Sequence, residues 1–326
     1  MPMVEVNGIP LHYDRVGRGV PIVFIHPPLL TGENFVYQQE QLADRFEVIT
    51  FDIRGHGRSG YSKEKITYSL IADDICKLMD QLNIPKAYLC GYSTGGSVAL
   101  ETLLRYQDRF LGGILISGMS EISDWYNRSR IWTAARITRL RAKRLMTAAI
   151  AIGNSDMPAT FKRLYASAIQ GHVRNLHQYY EYSYNYSCTS SLHRIHIPML
   201  LIYGEKDVSF HRYAHLLHRS LPNSTLHLIA GAYHQIPTKN ASALHELMRL
   251  WLADAVSSEE ATSSVATSAS ASVSSTRAAA TTILGEQQEY PDADSPIGTH
   301  AEHITQAPAD RIAQAPADPE SGEQRL

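Results

Sequence analysis

Cysteine is scarce in this chain: three residues in 326, at Cys76, Cys90 and Cys188. An odd, scattered set argues against a disulfide framework, and reduced thiols are expected. Excess charge of either sign is missing too. Lys and Arg number 30 against 32 Asp and Glu, so the formal net charge is −2 and there is no electrostatic basis for a nucleic-acid partner. No apolar run approaches the ~18 residues of a membrane span, so stable membrane insertion is not expected. Met1 runs almost at once into the strand-like Val4-Glu5-Val6 and Leu11-His12-Tyr13, with no basic stretch or apolar leader core. A cytoplasmic location is therefore expected.

With 44% hydrophobic residues the chain can bury a full core. Apolar runs bounded by turn residues fall at Pro21–Ile25, Phe46–Phe51, Ala87–Cys90, Gly113–Ser117, Met199–Tyr203 and Thr225–Ile229, with two weaker strands before Val16. Helical patterns separate them, at Tyr68–Leu82, Thr94–Arg105, Arg212–Ser220 and Ala241–Leu252. Such alternation predicts an α/β fold, a mostly parallel twisted sheet of about eight strands flanked by helices. The strand rhythm stops between Ser117 and Pro198, and a helical insertion after a strand's carboxyl end would sit over the sheet's functional edge as a cap. The expected segments are a core over 1–118, a helical cap over 119–197, and a second core part over 198–255. From 256 to 326 the composition turns to Ser, Ala, Thr, Pro and acidic residues, with Gln306-Ala-Pro-Ala-Asp310 repeated as Gln314-Ala-Pro-Ala-Asp318. A segment so poor in apolar residues cannot offset its ordering entropy, so a disordered tail is expected.

The most informative motif is Gly91-Tyr92-Ser93-Thr94-Gly95, set between the strand Ala87–Cys90 and the helical run that follows. A Gly-x-Ser-x-Gly turn in that setting lifts the serine hydroxyl out of the chain's path, because only glycines fit two residues to either side. The N-terminus of the next helix aims unpaired N–H groups at the same point. Ser93 is the candidate nucleophile, and the Thr94 N–H a candidate oxyanion donor.

A serine nucleophile needs a base, and the base needs a carboxylate to fix its tautomer. Gly204-Glu205-Lys206-Asp207 follows the strand Met199–Tyr203, and Gly231-Ala232-Tyr233-His234-Gln235 follows the last strand. Position selects His234 from the 15 histidines and favours Asp207 as the acid. Glu205 competes from the same loop, and Asp124 competes from the loop after the preceding strand.

These segments, with Ile25-His26 and Phe51-Asp52-Ile53-Arg54-Gly55-His56-Gly57-Arg58-Ser59, resemble the α/β-hydrolase superfamily, in particular esterase, lipase and perhydrolase-like members with a helical cap. The resemblance spans Val4 to Leu252. It implies a triad of Ser93, Asp207 and His234, and a bracing role for Asp52 and Arg54 below the site. One departure stands out. Relatives usually read His-Gly-x after the third strand, and x gives the second oxyanion-hole N–H; here the run is His26-Pro27-Pro28-Leu29-Leu30, and Pro28 has no N–H. The second donor then comes from Leu29 through a shifted loop, from a side chain such as Thr31, or is absent. A cis bond at Pro27 or Pro28 is the expected device for re-aiming the loop.

The activity so implied is hydrolysis of a small carboxylic ester, lactone or thioester through an acyl-enzyme, with a small-molecule acyl substrate as partner. C–C bond hydrolysis or cofactor-free perhydrolysis would use the same triad. A slow-turnover ligand-binding or signalling protein is the reading from another class, supported by the Pro27-Pro28 loop alone. Serine in place of aspartate argues against dehalogenase and epoxide-hydrolase chemistry. Tyr179, Tyr182 and Tyr186 share one helix face, Tyr180 and Tyr184 another. Tyr179 and Tyr182 are candidate pocket residues, together with Tyr92 and Pro28. His211, His215 and His218 have a spacing that suits zinc, but no cysteine or carboxylate completes a set, so neither metal nor cofactor is expected. The sequence does not specify the oligomeric state.

Overall fold

The structure is a computed structural model that describes residues 2–139 and 142–253. The tail expected over 256–326 lies outside the described residues. The chain opens with β1 (Met3–Val6), β2 (Ile9–Val16) and β3 (Val20–Ile25), then α1 (Val36–Leu42), β4 (Phe46–Phe51) and α2 (Tyr68–Gln81). β5 (Ala87–Tyr92), α3 (Thr94–Tyr106) and β6 (Phe110–Ile116) follow. Four helices come next: α4 (Trp125–Arg139), α5 (Lys143–Asn154), α6 (Pro158–Ala168) and α7 (Val173–Asn185). The chain returns through β7 (Met199–Gly204), α8 (Val208–Ser220), β8 (Ser224–Ile229) and α9 (Ile236–Lys239), and then α10 over residues 241–253.

The strands form one eight-stranded sheet in the order β1-β2-β4-β3-β5-β6-β7-β8. The β1–β2 and β2–β4 pairs are antiparallel, and every pair from β4–β3 onward is parallel. Continuous apolar runs suit a sheet covered on both faces, since alternate side chains serve opposite cores. Val23, Ile25, Leu89, Leu115 and Leu201 pack on one side with Ile71, Ile75 and Leu78 of α2 and Leu217 of α8. Their neighbours Ile22, Phe24, Cys90, Ile114 and Ile202 pack on the other with Leu42 of α1 and Leu244, Met248 and Leu252 of α10. A third, small cluster joins Leu29 to Met146, Leu176 and Tyr180 of the inserted helices.

α2 starts where Thr67 Oγ1 accepts the Leu70 N–H at 3.1 Å, a side-chain N-cap ahead of the apolar stripe. All three cysteines are buried and unpaired. Burial raises the Cys76 thiol to about 11 and Cys188 to about 12, which leaves them inert packing groups. No helix among the described residues is long and apolar enough to cross a membrane.

His26 and His56 are buried under the parallel strands' carboxyl ends, their rings 5.3 Å apart. The Ile53 N–H donates to His26 Nε2 at 2.9 Å, so Nδ1 carries the hydrogen and donates to Pro27 O, also at 2.9 Å. Burial lowers the pKa of both, His56 to about 3, and for His26 it outweighs the opposing charge of Asp52. An unfolded chain would take up these protons near pH 6.5, whereas the folded one stays neutral. The stabilisation from His56 is therefore complete above pH 6.5 and declines as pH falls toward 3, by about 1.4 kcal/mol per pH unit, and His26 acts in the same direction. Urea unfolding at pH 7.5, 6 and 5 should show that decline; a flat stability over the range would mean that these rings are charged in the fold.

Candidate active site

β5 ends at Tyr92 and α3 begins at Thr94, which leaves Ser93 alone in the turn at φ 54° and ψ −123°. Such a backbone is strained, and its surroundings hold it. The Ser93 N–H donates to Ile116 O at 2.8 Å, and the Gly96 N–H to Ser93 O at 2.9 Å. A Cβ at Gly91 would stand 2.4 Å from Gly95 O, and one at Gly95 2.3 Å from Ile25 O. No side chain fits either position.

The loops after β7 and β8 are tied to each other. The Glu205 N–H donates to Ile229 O at 3.0 Å and the Lys206 N–H to Ala232 O at 2.8 Å. Gly204 permits the approach, since a Cβ there would lie 2.4 Å from Ala232 O. Glu205 is committed to this brace, its Oε2 accepting the Gly231 N–H at 2.7 Å. Asp207 and His234 consequently face each other, with His234 Nδ1 at 2.7 Å from Asp207 Oδ2. His234 Nε2 lies 3.0 Å from Ser93 Oγ. A carboxylate only accepts, so Nδ1 carries the ring hydrogen and Nε2 is free to accept the Ser93 O–H. Phe210 packs against the imidazole at 4.2 Å between centroids. Asp124 is engaged elsewhere: it caps α4 by accepting the Asn127 N–H at 2.8 Å, and it takes the Tyr213 hydroxyl.

The proline loop differs from expectation. Among the described residues there are no cis peptide bonds, so Pro27 and Pro28 do not re-aim the loop by that device. Instead the Leu30 N–H donates to Pro27 O at 3.2 Å, closing a turn with Pro28 at its first corner and Leu29, at φ 59°, at its second. Proline followed by a positive φ is the type II arrangement, in which the central peptide is flipped relative to type I. Leucine is an unusual residue at that corner, and the burial of its side chain against Met146, Leu176 and Tyr180 offsets the strain. The Leu29 and Thr94 N–H groups have no hydrogen-bond partner among the described residues, although both residues are buried. Thr31 Oγ1 is paired with Ser167 Oγ at 2.6 Å.

Below the loop, Asp52 Oδ1 accepts the Gly32 N–H and Oδ2 the Arg58 N–H, each at 2.9 Å. Burial works against its charge, but hydrogen bonds from His12, Arg58 and Gly32 hold the carboxyl below its usual range. Arg54 makes a buried two-pronged contact with Asp74, at 2.5 and 2.6 Å.

A cavity of about 300 Å³ opens over Ser93, between the strand ends and the inserted helices. Tyr92 and Pro28 line it. Tyr179 and Tyr182, expected in the pocket, do not; Tyr180 does. The reason is the orientation of α7, which turns its Tyr179–Tyr182–Tyr186 face onto Tyr68 of α2, with ring centroids 5.8, 4.9 and 4.5 Å away. The Tyr179 hydroxyl is spent on His26 O at 3.2 Å. Sequence reasoning did not single out Asn127, Arg130, Asn154 or Phe210, which also line the cavity. No local motif marks them, because they converge only when the inserted helices and α8 pack. Among the described residues no His, Cys, Asp and Glu group could hold a metal ion.

A family profile described as alpha/beta hydrolase fold matches residues 20–240. The chain is 27% identical over 251 residues to Serine hydrolase BPHL of Homo sapiens, covering 75% of this chain and 83% of that protein. It is 26% identical over 213 residues to 3-oxoadipate enol-lactonase 2 of Acinetobacter baylyi, covering 63% of this chain and 78% of the relative. Among solved structures, a thermophilic esterase from Thermogutta terrifontis superposes with a TM-score of 0.68 at 23% identity, over 78% of this chain and 99% of that one.

Proposed function

The chain belongs to the alpha/beta hydrolase fold family, and from that membership we propose that it cleaves a small carboxylic ester, lactone or thioester through an acyl-enzyme on Ser93. The hydrogen-bonded series Ser93–His234–Asp207 carries the reading. His234 Nε2 accepts the Ser93 proton as Oγ attacks the carbonyl, then returns it to the leaving alcohol or thiol. Water enters, His234 deprotonates it, and the acid is released. Asp207 keeps the ring in the productive tautomer and stabilises the imidazolium. The names of the relatives, a serine hydrolase and an enol-lactonase, support ester-type substrates. Residues 119–197 serve as the cap that closes over the substrate.

The unpartnered N–H groups of Thr94 and Leu29 form the oxyanion hole in this scheme, the prolines fixing the turn that presents the second. Pro28→Gly is then expected to lower kcat on 4-nitrophenyl butyrate, because the corner loses its fixed φ; the loss is bounded by the about 10²–10³ that one donor is worth. A gain in kcat at unchanged melting temperature would mean that the hole had lacked a donor. The function itself is tested with short-chain 4-nitrophenyl esters and a fluorophosphonate probe. Rapid turnover with stoichiometric labelling is the expected result, and a single slow equivalent of product would overturn it.

A further inference from the structure

Resting on the hydrolase reading, we infer that Arg130 is a specificity residue and that the substrate carries a carboxylate or similar anion at the end away from its scissile bond. Among the described residues Arg130 is the one Lys or Arg that lines the cavity over Ser93. It also lines a shallower, apolar groove between α4 and α5, and the two share Ala134, Ala149 and Ile150. Arg130 therefore stands at a doorway between the two, exposed to water. An anion held there stays partly hydrated while the rest of the molecule reaches toward Ser93, so no unpaired charge is buried.

The charge is not neutralised by the protein. Arg128, Arg130 and Arg136 of α4 have no carboxylate at ion-pair distance among the described residues. Arg128 lies over the Tyr184 ring at 4.2 Å, Arg130 over Tyr126 at 5.5 Å and Arg136 over Trp132 at 4.9 Å, contacts with ring faces that leave the charges themselves unpaired. Arg130 donates to Asn127 Oδ1 at 3.3 Å through Nη1, and its other N–H groups remain available to a ligand. Asp124, at the start of the same helix, is taken by Asn127 and Tyr213. The field reaches into the cavity: burial raises the Tyr180 phenol, and the Arg130 charge acts against that rise. A planar guanidinium, as a charged group in this cavity wall, selects a planar anion over a neutral group of the same size.

Two matched ester pairs test this, one charged on each side of the scissile bond. They are 4-acetoxybenzoate with its methyl ester, and the mono-4-nitrophenyl ester of adipic acid with 4-nitrophenyl hexanoate. In at least one pair, Arg130→Gln should lower the anionic-to-neutral ratio of kcat/KM by about ten- to a hundredfold, chiefly through KM. Arg130→Lys should recover part of it, and added salt should erode the wild-type preference. An unchanged ratio in both pairs would overturn the inference. Should no ester turn over at all, the hydrolase reading fails and binding decides the question. 4-Hydroxybenzoate or adipate should then bind wild type at least tenfold more tightly than Arg130→Gln, and equal affinities for both anions would overturn it.

Discussion

Ser93→Ala is expected to lower ester turnover by about 10⁶-fold and to abolish fluorophosphonate labelling, while the melting temperature stays close to that of the unaltered protein. The size follows from the loss of the attacking atom: with no Oγ, His234 has nothing to activate, and only the oxyanion donors and the shape of the cavity remain. The fold should tolerate the change because the strained turn is held by backbone contacts, from the Ser93 N–H to Ile116 O and from the Gly96 N–H to Ser93 O. Alanine keeps both. Steady-state kinetics and labelling on the same preparation decide the matter; wild-type labelling of the variant would place the nucleophile elsewhere.

Asp207→Asn is expected to reduce kcat by about 10⁴-fold with little change in KM. The amide nitrogen of asparagine donates where the carboxylate accepted at 2.7 Å, so the imidazole hydrogen moves to Nε2 and meets the Ser93 hydroxyl donor to donor. Asp124→Asn is the informative partner experiment. Its carboxylate serves Tyr213 and the start of α4, so it should cost some stability and leave most of the turnover. If the larger kinetic loss fell on Asp124→Asn, the acid would have to be reassigned to the loop after β6.

The strands of the sheet were legible because each is a short apolar run closed by turn residues; β4 begins at Phe46 and ends at Phe51 as its pattern predicts. α1 was not legible. Its helix buries Gln38 and Gln39, whose Nε2 groups bond to Pro237 O and His245 and to Thr50, so that buried polar positions interrupt the hydrophobic period in the local sequence. The tyrosine-rich helix was visible, but the face it turns to the cavity was not, since packing against Tyr68 of α2 decides that. The proline loop shows the sharpest difference. A Pro-Pro step signals restricted φ, but leucine gives no sign of the left-handed corner it occupies, and only its contacts with the inserted helices explain that backbone. Ser93, Asp207 and His234 could be singled out from their positions in chain order, since each follows a recognisable strand.

Leu29 belongs to two structures at once. Its backbone forms the corner of the turn beside Ser93, and its side chain sits in the small cluster with Met146, Leu176 and Tyr180. Through that cluster the inserted helices are joined to the turn beside Ser93, in addition to their contacts with both sheet cores, Tyr179 on one side and Ala151 and Leu164 on the other. A substitution that removed Met146, Leu176 or Tyr180 from the cluster would take away part of the burial that offsets the positive φ of Leu29. The packing of the inserted helices and the backbone of the turn beside Ser93 are thereby coupled through one residue.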